Sequence, residues 1–190
     1  MSMNKTHIVN SKCKNEIIKI ATEIIRKGGV IIYPTDTVYG IGGDATSESV
    51  VKKIYGIKQR PMNTPISVLV SDFEMLDNYA EINEKQMAIL KKSLPGPYTF
   101  ILKPKVVLPV SENTVGFRMP NHWCTLIAKE FGKPITTTSA NIHQQPTPNS
   151  IEKIRGNFKE SVSLYIDESL LDGKPSKVID LTRESKVIRE

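Results

Sequence analysis

Side chains able to hold an anion are concentrated in four short segments, most of which directly follow a predicted strand. These segments are residues 34–44, 58–61, 114–120 and 136–141. Ligands of α/β proteins usually bind beyond the ends of strands, where loops present polar groups. The four segments supply mainly cations and hydroxyls, so the sequence predicts an electrostatic site of the kind that suits nucleotidyl transfer.

The segment 34–44 combines three hydroxyl side chains with three glycines, and a predicted helix follows it. Glycines let backbone N–H groups approach an anion, and a helix N-terminus favours negative charge. We predict a polar loop here, although an ordinary turn explains the same residues. Neither GxxxxGK[ST] nor GxGxxG occurs in the sequence, so these two nucleotide-binding signatures are absent.

Lys58 and Arg60 lie two residues apart, immediately before Pro61. On a continuing helix their side chains would point about 200° apart. Proline disfavours helical geometry in the residue before it, and an extended chain lets both cations face one phosphate group. The alternative is a solvated helix C-terminus, where the helix dipole favours cations.

Two other segments place polar groups on predicted strands. Arg118 lies between apolar residues, and a buried arginine requires a carboxylate from either a ligand or a structural ion pair. The segment 136–141 ends a later strand with five hydroxyl or amide side chains. These groups suit phosphate or ribose, although helix capping by Ser139 or Asn141 is the alternative.

The sequence offers no general base and no metal site. Cys13 and Cys124 form no CxxC pair, and His7, His122 and His143 lack the spacing of zinc ligands. None of the three histidines has an evident serine or cysteine partner, and no pair of carboxylates has general acid–base spacing. We therefore predict no metal ligands and no catalytic triad.

Hydrophobic periodicity predicts helices and strands that alternate along much of the chain. Helices are predicted at 14–26, from Ser47, at 73–79, at 84–94, from a cap at Asn121 to 131, and around 151–158. Strands are predicted at 30–33, 66–70, 98–102, 115–119, 135–138, 164–166, 178–181 and 187–188. Several strands follow one another directly, which predicts an α/β (α+β) fold with a mixed sheet and helices packed on it.

Length and composition indicate the class of protein. The 190 residues contain no linker-like stretch and no repeat, which predicts one domain over residues 1–190. The formal net charge of +6 and the pI of about 9.2 suit a polyanionic partner, or serve solubility alone. Without a signal peptide, a membrane-length apolar run or a disulfide framework, we predict a cytoplasmic protein with no membrane partner.

Six motifs, taken in order, resemble one family. They are GGVIIYPTDTVYGIGGDA, IYGIKQRP, LPGPYTFIL, TVGFRMP, PITTTSAN and SKVIDLT followed by VIR. From Gly28 to Arg189 the chain thus resembles the YrdC-like threonylcarbamoyl-AMP synthases. The resemblance implies a YrdC-like twisted mixed sheet with a basic concave face. It also implies that L-threonine, bicarbonate and ATP, with Mg²⁺, give threonylcarbamoyl-AMP and pyrophosphate.

The resemblance also implies roles for individual residues. It implies ATP contacts at Lys58, Arg60, Thr64, Thr114, Ser139, Asn141 and Arg189, with Lys58 and Arg60 as the catalytic cations. It implies threonine contacts at Thr35, Arg118, Thr137 and Ser176. The product implies downstream threonylcarbamoyl-transferase proteins that modify tRNA, and direct tRNA binding is a further expectation.

Several positions depart from the family pattern around the expected threonine pocket. Thr64 stands where asparagine is frequent, and Leu69 stands where longer members carry histidine. His143-Gln144 replaces Ser-Gly, and Ser176-Lys177 replaces Ser-Thr. The chain ends one residue after Arg189, so we expect the extra C-terminal domain of longer relatives to be missing.

Three other functions stay open at this point. A non-catalytic module for double-stranded RNA or tRNA suits the basic charge, although the sparse aromatic residues argue against stacking on single strands. A related carbamoyl-adenylate enzyme, as in hydrogenase maturation, comes with zinc-finger-like and acylphosphatase-like segments that this sequence lacks. The intact Lys-Gln-Arg and Ser-Ala-Asn motifs weaken the third, a paralogous branch with another substrate.

Overall fold

A mixed sheet of ten strands organises the computed structural model, which describes residues 7–10, 13–111, 113–158, 161–183 and 186–189. The strands are β1 (His7–Asn10), β2 (Ile31–Tyr33), β3 (Gly40–Gly42), β4 (Ser67–Leu69), β5 (Tyr98–Leu102), β6 (Val115–Arg118), β7 (Ile135–Ser139), β8 (Leu164–Asp167), β9 (Lys177–Asp180) and β10 (Lys186–Arg189). Their order across the sheet is β1-β8-β2-β3-β7-β4-β6-β5-β9-β10.

The sheet contains both parallel and antiparallel pairs, which confirms the prediction of a mixed sheet. The pairs β1–β8, β2–β8, β4–β6 and β5–β9 are parallel. The pairs β2–β3, β3–β7, β4–β7, β5–β6 and β9–β10 are antiparallel. Antiparallel neighbours need only short connections, which explains why several strands follow one another without a helix.

Six helices accompany the sheet within the described residues. They are α1 (Lys14–Arg26), α2 (Glu48–Lys58), α3 (Phe73–Tyr79), α4 (Glu84–Ser93), α5 (Thr125–Phe131) and α6 (Ile151–Phe158). Ser47 caps α2 by accepting a hydrogen bond from the Val50 amide, and Asn83 and Gln86 form the capping box of α4. Residues of these types at this spacing satisfy free amides of the first turn, which explains where the two helices begin.

Apolar side chains form two cores, one on each face of the sheet. Strand β2 shows the division, because Ile31 and Tyr33 belong to one core while Ile32 belongs to the other. The first of these cores includes the buried faces of α1 and α5, and the second includes that of α2. Alternate side chains of a strand point to opposite faces, so a buried strand of this kind must be apolar throughout.

Two local predictions are wrong. Strand β3 lies within the segment predicted as a loop, because its Gly-Ile-Gly sequence lacks strand-forming character and is ordered by pairing with β2 and β7. Asn121 does not cap a helix, since α5 begins only at Thr125. The Asn121 amide instead donates to the carboxylate of Asp36, which holds this turn against the 34–38 segment.

No helix within the described residues is long and apolar enough to cross a membrane. The longest, α1, has 13 residues, whereas a transmembrane helix needs about 20.

Candidate functional site

A cavity of about 470 Å³ opens on the sheet between β4, β5, β6, β7 and the segment that leads into β9. Eight hydroxyl side chains line it, namely Ser67, Thr99, Thr114, Thr137, Thr138, Ser139, Thr147 and Ser176. Three arginines also line it, Arg60, Arg118 and Arg189, and the described lining residues include no carboxylate. The cavity is therefore built to receive a polar anion.

Strand register brings distant polar residues together on the floor of the cavity. Ser67 lies opposite Thr137, and Thr99 lies opposite Arg118. Gly116 lies between them, and a Cβ atom at this position would come within 2.6 Å of the Ser67 hydroxyl. A larger residue here would fill the floor, so the glycine keeps the cavity open.

Arg118 enters the cavity wall on β6 and is held by the loop after β2. Its Nη2 atom donates to Asp36 Oδ1 at 3.0 Å and to Thr37 Oγ1 at 3.1 Å. This ion pair is the structural alternative considered for Arg118, yet it uses only part of the guanidinium. The Nε atom is buried and has no hydrogen-bond partner among the described residues.

Thr137 carries a second unpartnered polar atom on the same wall. Its Oγ1 atom is buried and makes no hydrogen bond of good geometry to a described residue, although it lies near enough to the Tyr33 hydroxyl to offset part of the rise that burial causes in the pKa of that group; the side chain is only 2 % exposed. Buried polar atoms are nearly always paired, so two unpaired atoms beside one cavity indicate a ligand that supplies the missing partners. A carboxylate for Arg118 and a polar group for Thr137 meet this need.

Thr35 lies behind the wall rather than on it. Its hydroxyl donates to Val38 O at 2.7 Å, and the Thr35 and Thr37 hydroxyl oxygens lie 3.0 Å apart. Because the Thr35 hydrogen is already donated, Thr37 donates to Thr35 and accepts from Arg118. Thr35 thus reaches the cavity through Thr37 and Arg118.

Arg60 and Arg189 are held by neutral acceptors. Arg60 donates to the carbonyl oxygens of Thr64 at 3.2 Å and Pro65 at 2.8 Å, so Thr64 contributes its backbone to the site. Arg189 donates from Nε to Ser176 O at 3.0 Å and from Nη2 to Ser176 Oγ at 3.2 Å. Burial lowers the pKa of both arginines, and nearby Arg118 lowers that of Arg189 further. Both guanidinium groups therefore bring partly buried positive charge to the cavity.

Lys58 is almost fully buried and is not among the lining residues. Its ammonium donates to Ser139 O at 2.5 Å, Asn141 O at 2.8 Å and Asn141 Oδ1 at 3.2 Å. Burial, assisted by nearby Arg60, lowers the Lys58 pKa to about 7. The chain turns at Gln59, whose φ of 50° ends α2, so the predicted break in helical geometry before Pro61 is confirmed.

The sequence profile of the Sua5/YciO/YrdC family, described as telomere recombination, matches residues 23–190. The chain belongs to this family. A relative from Methanocaldococcus jannaschii, named a putative threonylcarbamoyl-AMP synthase, is 34% identical over 187 residues, which cover 97% of this chain and 89% of the relative.

Solved structures of family members share the fold. Pyrococcus abyssi Sua5 complexed with L-threonine matches with a TM-score of 0.91 and 34% identity, covering 97% of this chain and 57% of that one. Escherichia coli YciO matches with a TM-score of 0.89 and 29% identity, covering 98% and 96%. The YrdC-like α/β fold is thereby confirmed, and this chain spans little more than half of the P. abyssi Sua5 chain.

The cavity of this Sua5/YciO/YrdC domain brings together seven of the predicted site residues. They are Arg60, Thr114, Arg118, Thr137, Ser139, Ser176 and Arg189. Thr35, Lys58, Thr64 and Asn141 lie beside or behind the wall, and their direct ligand contacts stay predictions. Thr138 lies in the predicted 136–141 segment and lines the cavity, whereas Ser67, Thr99 and Thr147 were missed as lining residues. Only the strand register, which places Thr99 beside Arg118, could have indicated one of them.

The described residues include no group of three or more His, Cys, Asp or Glu side chains that could hold a metal ion. Magnesium prefers oxygen ligands and commonly binds through the phosphates of its nucleotide.

Proposed function

We propose that this chain is an L-threonylcarbamoyladenylate synthase, which converts L-threonine, bicarbonate and ATP into threonylcarbamoyl-AMP and pyrophosphate. The observation that carries the proposal is one cavity lined by three arginines and eight hydroxyls, with unpartnered Arg118 Nε and Thr137 Oγ1 on its wall. The relatives named threonylcarbamoyl-AMP synthase and the threonine-bound Sua5 structure support the same reaction.

The charges suggest how the two substrates divide the cavity. We assign the threonine carboxylate to Arg118, with Thr137 and Ser176 as its polar neighbours and Thr35 as the support of Thr37. We assign the triphosphate to Arg60 and Arg189, with Thr64, Thr114, Ser139 and Asn141 around the nucleotide. Guanidinium groups bind carboxylates and phosphates through paired N–H donors, so arginine suits both the threonine carboxylate and the triphosphate.

In the proposed reaction the protein mainly positions the substrates and neutralises negative charge on the phosphates. The threonine ammonium group first loses a proton to solvent. Its nitrogen forms a bond to the carbon of CO₂, or to that of bicarbonate with loss of water, and a second N–H proton passes to solvent or to the leaving hydroxide to give the N-carboxythreonine anion. A carbamate oxygen then attacks the α-phosphorus of ATP in line, and the bond to the bridging oxygen breaks as pyrophosphate leaves. The cations neutralise charge on the phosphates, with Mg²⁺ as part of the ATP complex. The carbamate is already an anion, so this attack needs no general base.

The reactivity of the product indicates which kind of protein must use it next. A mixed anhydride of a carbamate and AMP is reactive, so it must pass to an acceptor reaction before water destroys it. We propose cytoplasmic threonylcarbamoyl-transferase proteins that modify tRNA as the consumers, and residues 1–190 as one domain. We propose direct contact with tRNA only at the basic concave face that the family resemblance implies.

The test is an assay of the purified chain with Mg-ATP and single amino acids, with and without bicarbonate. Pyrophosphate release and an adenylate with the mass of threonylcarbamoyl-AMP are expected only when threonine and bicarbonate are both present. Adenylate formation without bicarbonate overturns the carbamoylation step. Preference for another amino acid overturns the substrate, and salt-sensitive RNA binding without pyrophosphate release favours an RNA-binding module.

A further inference from the structure

Lys58 ends helix α2 with its charged group inside the protein, whereas Arg60 lines the cavity. The Lys58 side chain extends toward the turn after β7, where three oxygen atoms surround its Nζ atom. Two are the backbone carbonyls of Ser139 and Asn141, and the third is the side-chain oxygen of Asn141. The residue as a whole is 1 % exposed.

The number of hydrogen bonds at Lys58 determines whether its ammonium group has an N–H donor free for a ligand. A charged lysine has three N–H donors and no acceptor, and a neutral amine has only two. The three contacts therefore require the charged form and occupy all of its donors. In this arrangement no N–H of Lys58 is free for a phosphate oxygen.

The residues that accept hydrogen bonds from Lys58 are part of the cavity wall or lie directly beside it. Ser139 lines the cavity, and its hydroxyl donates to Asn141 Oδ1 at 2.6 Å, the same oxygen that accepts from Lys58. The Lys58 carbonyl accepts from the His143 amide at 2.8 Å, and Asn141 Nδ2 donates to Gln145 O. The C-terminus of α2 and the 139–145 turn are thus fastened together by both the backbone and the side chain of Lys58.

We infer that Lys58 is a positioning residue, which fixes the 139–145 turn so that Ser139 faces the nucleotide, while Arg60 is the direct phosphate contact of the Lys-Gln-Arg motif. The left-handed Gln59 separates the two cations, since the chain turns between them. The nucleotide part of this inference rests on the proposed function. The positioning part rests only on the three hydrogen bonds and the burial of Lys58.

The first test compares Lys58→Met with Lys52→Met by amide hydrogen exchange. Methionine keeps the length of the side chain but removes one donor from each of the three acceptors, and Asn141 O then has no other donor among the described residues, so the turn loosens. Faster exchange over residues 139–145 is expected in Lys58→Met and not in Lys52→Met, whose lysine is 60% exposed on the same helix. Wild-type exchange rates in Lys58→Met overturn the inference.

The second test separates positioning from phosphate contact by the salt dependence of ATP binding. A lost phosphate contact flattens this dependence, because fewer counterions are displaced on binding. Lys58→Met is expected to bind ATP at least about 10-fold more weakly with the wild-type salt slope, a 10-fold loss being about 1.4 kcal/mol. Arg60→Ala is expected to flatten the slope. An equal flattening in Lys58→Met shows direct contact and overturns the inference.

The third test uses the wild-type chain in case Lys58→Met does not fold. An amine-acylating reagent is expected to modify Lys52 and to spare Lys58, both with and without ATP. Acylation of Lys58 in the free protein that ATP prevents would show an ammonium waiting in the cavity, which overturns the inference. Exchange and acylation need no turnover, so they test Lys58 even if the assay shows no pyrophosphate and the proposed function fails.

Discussion

Arg118 and Arg60 line the same cavity, yet the protein balances their charges in different ways. Arg118 forms an ion pair with Asp36 in which the two side chains are 9% and 11% exposed. Arg60 rests on two carbonyl oxygens and has no ion pair among the described residues, and Arg189 likewise rests on Ser176. The charge of Arg118 is therefore compensated by a carboxylate of the protein, whereas Arg60 and Arg189 keep their positive charge.

This difference indicates which ligand group each arginine can accept. A zwitterion such as an amino acid carries a single carboxylate and no net charge, so a compensated arginine suits it. A triphosphate carries several negative charges, and arginines without a protein carboxylate stabilise it when it binds. The lowered pKa values of Arg60 and Arg189 report the cost of burying these charges without an anion.

The largest expected effect comes from removing the counter-charge of Arg118. Asp36→Asn leaves a buried guanidinium without its carboxylate, and breaking a buried pair in this way costs about 3 kcal/mol or more. The free energy of unfolding, measured by urea denaturation, should fall by that amount, and threonine affinity should fall with the lost orientation. The control is Glu48→Gln, which breaks an exposed pair with Lys52 and should leave the urea midpoint unchanged. A wild-type midpoint in Asp36→Asn would contradict the pairing.

Removal of the uncompensated cation should affect turnover more than stability. Arg60→Ala is expected to slow pyrophosphate release by about 100-fold, as for other single electrostatic catalysts. The free energy of unfolding should change little, because Arg60 gives up only carbonyl contacts at a partly exposed position. Steady-state pyrophosphate assays measure the first effect, with Lys53→Ala on the exposed face of α2 as control. Near-normal turnover would remove Arg60 from the phosphate end.

The pH dependence should be specific to Lys58. Its pKa is about 7 in the folded protein but about 10.4 in an unfolded chain, so the folded state loses this proton as pH rises through 7. The unfolded state binds more protons between these values, so the Lys58 contribution to stability rises with pH there. Activity should change in the opposite direction, since the neutral amine lacks the third donor.

A pH profile of kcat/KM should therefore fall above about pH 7. ATP bound at Arg60 offsets one cause of the lowered pKa, so the fall in kcat should lie at higher pH. Lys58→Met should lose this limb of the profile. A limb that persists unchanged in Lys58→Met would assign it to another group.

The sequence predicted some parts of this molecule and not others for definite reasons. Helices α1 and α3 lie where the sequence predicted them; for α1 the reasons are the apolar stripe and the glycine pair that follows it. Strand β3 was not predicted, because Gly-Ile-Gly forms a strand only by pairing with β2 and β7. Strand β1 was also missed, because it is ordered by parallel pairing with the distant β8.

The site shows the same limit. The Lys-Gln-Arg motif predicted two cations near phosphate, but the sequence could not show that Lys58 meets oxygens 81 and 83 residues away. Arg118 was recognised because a cation within an apolar strand needs a partner, yet Asp36 lies 82 residues from it. Residue types reveal what a group requires, whereas the partner that meets the requirement depends on tertiary contacts.

The smallest expected effect is at Thr137 and tests the proposed threonine contact beside Arg118. Thr137→Val removes a buried hydroxyl that makes no hydrogen bond of good geometry to a described residue. Because an unpaired buried polar group costs about 1 kcal/mol or more, the free energy of unfolding should rise by about 1 kcal/mol. The KM for threonine should nevertheless increase about 10-fold, while the KM for ATP stays unchanged.

Its neighbour supplies a matched control. Thr136 is equally buried, but its hydroxyl accepts from the Gly43 amide at 3.0 Å on the other face of β7. Thr136→Val leaves that amide unpaired, so it should lower the free energy of unfolding by about 1 kcal/mol without a specific change in the threonine KM. Opposite shifts in stability from the same substitution at adjacent positions indicate that the Thr137 hydroxyl is kept for a ligand. If both variants lose stability equally, the Thr137 hydroxyl has a protein partner, and it no longer supports a threonine contact at this wall.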